Sequence, residues 1–264
     1  MKTRTISALI ALLILVPIFI TGGLIFDITV IILSLLAIKE FMDVKSIKKE
    51  VPTIMKFITY ILITLIVLSG ATTKEMIYSV DIRLISAIFL IYLIPSVLYH
   101  DKNKYSVVDA FYFIGGIFFI GIAFFLLMFT RNTSLSLIIY LFIISILTDT
   151  FAYITGMLIG KHKLTIVSPK KTIEGTIGGS LMATVIGTIY YTTVINEKNI
   201  LLIILVTLFL SVLSQFGDLA FSAIKRYYGK KDFSNIMPGH GGVLDRLDSI
   251  IFILLGFMFF INVI

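Results

Sequence analysis

Cysteine is absent from this chain. That excludes disulfides, a thiolate nucleophile and a Cys-ligated zinc site. Charge is scarce as well: Asp, Glu, Lys and Arg make up 14% of the 264 residues, where a soluble domain carries about a quarter. No Walker A pattern is present, because Gly-Met-Leu-Ile-Gly-Lys at 156–161 has the wrong spacing and lacks the following Ser or Thr. No low-complexity linker and no stretch of soluble-domain composition interrupts the chain. The N-terminus has Lys2 and Arg4 ahead of an apolar run but lacks a small-x-small cleavage site. It reads as a retained first helix rather than a cleaved leader.

Apolar sequence fills the space that charge leaves. Hydrophobic residues account for 58% and the mean hydropathy is +1.07. A bilayer span takes about 20 apolar residues. Uncharged runs at 5–26, 57–73, 110–130, 132–148, 175–196 and 199–217 meet that length, alone or with flanking residues. Residues 84–99 and 249–264 are shorter candidates, and 28–38 is the weakest, needing residues on both sides of Asp27. Gly22-Gly23 supplies a turn before it. The runs are continuous rather than alternating, which argues against a barrel. The expectation is an all-α integral membrane protein with nine transmembrane helices and a cytoplasmic N-terminus.

Loop charge agrees with that count. With the N-terminus inside, eighteen of the 22 Lys and Arg fall on cytoplasmic segments, and only Lys74, Arg83, Arg131 and Lys198 lie outside. Such asymmetry is the positive-inside pattern. Merging the first two helices would alter only the first two cations, so charge alone leaves eight spans open. The net charge of +7 needs no nucleic acid. Topological bias and attraction to anionic headgroups explain it.

Three polar stretches fall on the assigned cytoplasmic face, at 39–56, 160–174 and 225–246. The first, rich in Lys and Glu, reads as a solvated helix end or connector. Residues 1–131 have ordinary membrane-helix composition, expected to serve packing and oligomer contacts. Residues 132–264 carry nearly all the unusual polar groups and are expected to hold a catalytic site.

Acids at membrane depth are costly and usually face a cavity or a partner. Asp149 ends the sixth run, Asp218 ends the eighth, and Asp245 and Asp248 open the ninth helix, all toward the same side. Gln215, Asp218, Ser222 and Lys225 or Arg226 recur at three or four residues and share a helix side. Clustered oxygen ligands without Cys suit a hard cation such as Mg2+. Helix-end salt bridges to Lys225, Arg226 and Arg246 are the alternative. An ion pathway is a third reading, but placement at one face rather than the midplane argues against it.

Anion-binding features flank those acids. Pro238-Gly239-His240-Gly241-Gly242 lets backbone approach a ligand, its amides can form a concavity for an anion, and the ninth helix begins just after it. By itself such a turn is ordinary. Its position between Lys231-Asp232 and Asp245-Arg246 gives it weight. Residues 168–175, Ser-Pro-Lys-Lys-Thr-Ile-Glu-Gly, precede the seventh helix. Pro169 and Thr172 suit the start of a helix and Glu174 its first turn, while Lys170 and Lys171 can hold phosphates. Gly175 and Gly179, four apart, allow close helix packing.

Residues 222–248 closely resemble the signature of the phosphatidate cytidylyltransferases (CDP-diacylglycerol synthases). Ser222, Lys225-Arg226, Lys231-Asp232, Ser234, Pro238, His240-Gly241-Gly242, Asp245-Arg246 and Asp248 fall at the family spacing. Asp149 to Tyr153, Gly156, residues 168–175 and Phe216-Gly217-Asp218 also look like family blocks. The resemblance spans roughly the last 120 residues. Met237 stands where Leu or Ile is expected, a conservative departure.

The resemblance implies that CTP and phosphatidic acid give CDP-diacylglycerol and pyrophosphate, with Mg2+, in an all-helical homodimer of the cell membrane whose active site faces the cytoplasm. It implies metal ligation by Asp218 and Asp245, to which Asp149 is added as a candidate. Lys225, Arg226, His240, Arg246 and Asp248 are the candidate catalytic groups, with Asp248 either a further ligand or an orienter of Arg246. Ser168, Lys170, Lys171, Glu174, Ser222, Lys231, Asp232, Gly241 and Gly242 are the candidate substrate contacts. The rival readings are a CTP-dependent lipid kinase and a cation or proton transporter.

Overall fold

With no water in a bilayer core, backbone amides must be satisfied within the segment, and helices do this locally. The computed structural model describes residues 2–72, 82–99, 104–195, 199–237, 239 and 241–261. Among these it is all-helical, with nine α-helices and no strand. The helices are α1 (Lys2–Thr21), α2 (Gly23–Ser46), α3 (Thr53–Thr72), α4 (Ile82–Leu98), α5 (Val107–Thr133), α6 (Leu135–Ile159), α7 (Ile173–Tyr190), α8 (Ile200–Tyr227) and α9 (Leu244–Phe257). A π-helical turn, Tyr191–Ile195, extends α7. Five helical segments are long and apolar enough to cross a membrane: Thr53–Ala71, Val107–Thr133, Leu135–Ile159, Ile173–Ile195 and Ile200–Tyr227. The chain is a multi-pass membrane protein by that measure. Lys74, Lys102, Lys198, Pro238 and His240 lie outside the described residues.

The chain divides into two compact units. One comprises residues 1–133 with 232–245, and the other 134–231 with 246–264.

In the first unit the chain breaks at Gly22, whose φ of 68° is a left-handed value suited to glycine. Arg131 at the end of α5 stabilises that break. Its Nε donates to the Phe19 carbonyl at 2.5 Å and its Nη2 to that of Ile20 at 2.9 Å, satisfying carbonyls that a helix end leaves unpaired. Helix α5 is the core element, burying Phe113, Ile117, Ile120, Phe124 and Met128 against α2, α3 and α4. Stacking of Tyr92 on Phe113, centroids 5.4 Å apart, fastens α4 to α5. At the other end of α5, Ser106 and Asp109 form a reciprocal cap, the Ser106 amide donating to Asp109 Oδ2 at 2.8 Å. Asp109 also pairs with Lys45 at 2.5 Å and with Lys49.

One sequence expectation changes here. Helix α2 runs for 24 residues, about 36 Å, so the polar stretch at 39–56 begins as a helix end, as expected, but that end is not simply solvated. Glu40 and Lys45 within it are 1% and 7% exposed. Asp109, also in the first half, is buried as well. Each of these ions has a partner from elsewhere in the unit, which the linear sequence does not display.

In the second unit, α6 and α7 pack most closely. A Cβ on Gly175 would lie 2.6 Å from the Ala152 carbonyl oxygen, and one on Gly179 would lie 2.6 Å from that of Thr148. The glycines therefore serve close helix approach, as their spacing suggests. Hydroxyl pairs join α6 to α8, with Tyr140 to Thr207 and Thr148 to Ser211 both at 2.7 Å. Gln215 on α8 donates to the Thr176 carbonyl at 3.1 Å and to Ser180 Oγ at 2.8 Å on α7. Helix α8 continues past Gly217 to Tyr227, so Asp218, Ser222, Lys225 and Arg226 are helical residues.

Candidate functional site

In the second unit, the ends of α6 and α8 and the loop before α7 line a cavity of about 400 Å3. Asp149 enters from α6, Gln215 and Asp218 from α8, and Ser168, Lys170 and Lys171 from the loop. Tyr153 and Met157 supply apolar wall. The cavity thus unites both signs of charge with apolar surface, which suits a ligand that is anionic at one end and greasy at the other.

The loop before α7 is built to hold its shape. Thr172 caps α7, its Oγ1 accepting the Gly175 amide at 3.1 Å. The Leu164 amide donates to the Lys171 carbonyl at 2.9 Å and the Ile173 amide to that of His162 at 2.9 Å. Glu174 reaches back to accept the amides of Lys161 at 3.1 Å and His162 at 3.2 Å, and it contacts His162 Nδ1 at 2.6 Å. Glu174 is a candidate substrate contact by sequence. In the structure its oxygens bind its own loop, and no sequence pattern pointed to His162 as the partner.

Asp218 pairs with Lys171, and Ser222 Oγ lies 3.5 Å from its Oδ1. Asp149 Oδ2 receives the Ser249 hydroxyl at 3.4 Å. Asp149, Asp218 and Asp248 are within electrostatic reach of one another, as are Lys171 to Asp149 and Lys225 to Asp248. Helices α6, α8 and α9 therefore bring three of the four expected carboxylates together within this unit. Lys225 is 7% exposed. Arg226 is exposed and donates to the Lys230 carbonyl at 2.7 Å. Arg246 and Lys231 are exposed. Among the described residues, no three of His, Cys, Asp and Glu stand at metal-ligand spacing.

The rest of the signature belongs to the first unit. Asp232 is exposed, and Gly241 and Gly242 are buried. Asp245 Oδ2 accepts the Phe233 amide at 2.8 Å and the Gly242 amide at 2.9 Å. Met237 and Gly241 exchange amide hydrogen bonds at 2.9 and 3.1 Å. Gly241 takes a φ of 88°, which glycine tolerates. The amides of Val243 and Leu244, both at 2.9 Å, donate to the carboxylate of Glu40. The turn and the helix start that the sequence offers to an anion therefore receive the protein's own carboxylates. Glu40 is the residue that sequence reasoning missed. Its one available signal was position: it falls on the helical stripe Ala37, Glu40, Phe41 and Val44, all buried, with an acid where apolar residues are expected.

The family model described as "Cytidylyltransferase family" matches residues 2–264. The phosphatidate cytidylyltransferase of Staphylococcus haemolyticus is 40% identical over 256 residues, covering 96% of each chain. Those of Staphylococcus epidermidis and Staphylococcus aureus are 41% and 39% identical, again over 96% of each chain. With a match along its whole length, not only through the signature, the chain belongs to the cytidylyltransferase family.

Proposed function

We propose that this chain transfers a cytidylyl group from CTP to phosphatidic acid, forming CDP-diacylglycerol and pyrophosphate for phospholipid synthesis. The observation that carries the reading is the second-unit cavity, where Asp149, Asp218, Lys170 and Lys171 meet apolar wall in a multi-pass membrane protein. A phosphate oxygen of phosphatidic acid attacks the α-phosphorus of CTP, and the bond to the β-phosphate bridging oxygen breaks. The nucleophile is already ionised near neutral pH, so no general base is assigned. Positioning and charge neutralisation dominate.

Lys170 and Lys171 line the cavity and are proposed to hold phosphate oxygens, with Ser168 donating beside them. Lys225, Arg226 and Arg246 are proposed to offset the charge gathered in the reaction. Asp149, Asp218 and Asp248 do not stand together at ligand spacing, but one or two of these oxygen donors would suffice for Mg2+, an ion that commonly takes one or two protein carboxylates and completes its shell with water and substrate oxygens. The ammonium of Lys171 pairs with Asp218, so a metal ion there would share that carboxylate with the lysine. Asp245 is retained as a proposed ligand from its place in the signature. When bound, Mg2+ would supply charge neutralisation on the triphosphate.

Nine transmembrane helices, a cytoplasmic N-terminus, a site on the cytoplasmic side of the cell membrane and a homodimer belong to the same proposal. The Lys and Arg distribution supports the orientation. The test supplies CTP labelled at the α-phosphorus, phosphatidic acid and Mg2+. Label in the lipid product is expected and should vanish with EDTA. Label confined to CDP would indicate a lipid kinase, and the absence of any lipid product would favour a transporter. Either result refutes cytidylyl transfer.

A further inference from the structure

Glu40 lies in α2 and is 1% exposed. Its Oε1 accepts the Ser234 hydroxyl at 2.6 Å and the Val243 amide at 2.9 Å, and its Oε2 accepts the Leu244 amide at 2.9 Å. These donors are 194, 203 and 204 residues away in sequence. One side chain therefore grips both ends of the segment from Ser234 to Leu244, and Asp245 follows at once.

Burying a carboxylate costs several kcal/mol unless its oxygens are well satisfied. A neutral amide of the same size would be cheaper to bury, but it has only one acceptor oxygen and would turn an NH2 toward an N–H. A carboxylate offers acceptors on both sides and can bind three donors at once. Two of its donors are the amides of Val243, just before α9, and Leu244, its first residue, where the helix dipole also favours negative charge. Among the described residues Glu40 makes no ion pair. Its charge is met by these amides and a hydroxyl.

Gly242 gives an independent sign of the same arrangement. A Cβ there would overlap both oxygens and the carboxyl carbon of Glu40. The glycine at this point in the signature makes room for a carboxylate, a need separate from backbone freedom.

We propose that Glu40 is a positioning residue for turnover. It clamps the signature segment from α2 and fixes the backbone that presents Asp245, without touching substrate. This inference rests on the cytidylyl-transfer reading for its kinetic part only.

The test compares wild type with Glu40→Gln, Glu40→Ala, Gly242→Ala and the double variant Glu40→Ala with Gly242→Ala, in detergent. Glu40→Gln is expected to keep its thermal midpoint within a few degrees. Its kcat should fall roughly tenfold to hundredfold, the usual range when a supporting partner of a site is lost, while KM for CTP changes by less than about twofold. Hydrogen exchange at residues 242–245, measured without substrate or metal, should quicken in Glu40→Gln while the interior of α5 is unaffected. Gly242→Ala should lose activity alone but add little to Glu40→Ala, since truncation frees the space. Wild-type kcat and wild-type exchange in Glu40→Gln would overturn the proposal, as would additive losses in the double variant or a change confined to KM. Where Glu40→Ala fails to fold, Glu40→Gln and Gly242→Ala decide. A wild type that labels no lipid refutes the cytidylyl-transfer reading, while the exchange measurement still judges the clamp.

Discussion

Lys171→Ala tests the cavity most directly, because it removes the ammonium paired with Asp218. The two side chains keep 23% and 29% of their exposure, so the pair falls between two known limits. Exposed pairs contribute about 0–1 kcal/mol, and breaking a buried pair costs about 3–5 kcal/mol. A loss of about 1–2 kcal/mol in stability follows from that intermediate position. The kinetic effect should be larger. Removal leaves Asp218 beside Asp149 and Asp248 with less compensating charge, and it deletes a cation proposed to bind phosphate. A charge-assisted hydrogen bond is worth about 1.5–3 kcal/mol, so kcat/KM should fall roughly tenfold to hundredfold. The assay follows α-labelled CTP into lipid in mixed micelles, varying CTP and phosphatidic acid separately, with Lys171→Arg as the charge-preserving control. Arginine should recover part of the loss. Unchanged kcat and unchanged KM for both substrates in Lys171→Ala would refute the reasoning.

Asp218→Asn should abolish lipid labelling while the protein keeps its elution profile and thermal midpoint in detergent. Full activity in that variant would remove Asp218 from the site. Gly179→Ala introduces a Cβ 2.6 Å from the Thr148 carbonyl and 2.8 Å from the Ala152 Cβ. Overpacking of this kind costs about 1–3 kcal/mol, so thermal unfolding should shift down and a wild-type midpoint would contradict the packing. Asp109→Asn leaves Lys45, with its side chain 8% exposed, without its counter-charge, and breaking a buried pair costs about 3–5 kcal/mol. That variant should unfold at clearly lower temperature, while folded material retains KM for CTP.

Much of the second unit is legible from the chain because its chemistry violates the local composition. A carboxylate at the end of an apolar run, as at Asp149 or Asp218, is conspicuous where water is scarce. Lys170-Lys171 beside a Thr cap is equally plain, and the structure gathers these groups in one cavity. The break at Gly22 was readable from a glycine pair inside a run too long for one span. The first unit hides its polar design for a different reason. Glu40, Lys45 and Asp109 look like ordinary interfacial charges, and nothing within a helical turn of Glu40 indicates that its donors lie far along the chain. Burial of that kind is a property of tertiary pairing, and linear periodicity carries no record of it. Glu174 is similar on a smaller scale: its helix position is readable, but the His162 ring it meets is fixed only by the path of the loop.

The separation between Glu40 and its donors also has a consequence in time. Synthesis runs at about 5–20 residues per second, and Leu244 follows Glu40 by 204 residues. For roughly 10–40 s of each translation, then, α2 is made while the groups that will satisfy its acid do not yet exist. During that interval the carboxylate has to be satisfied by water or by other groups. Completion of the first unit consequently waits until residues 232–245 are made. A ribosome stalled before Ser234 would leave Glu40 without any of these three donors.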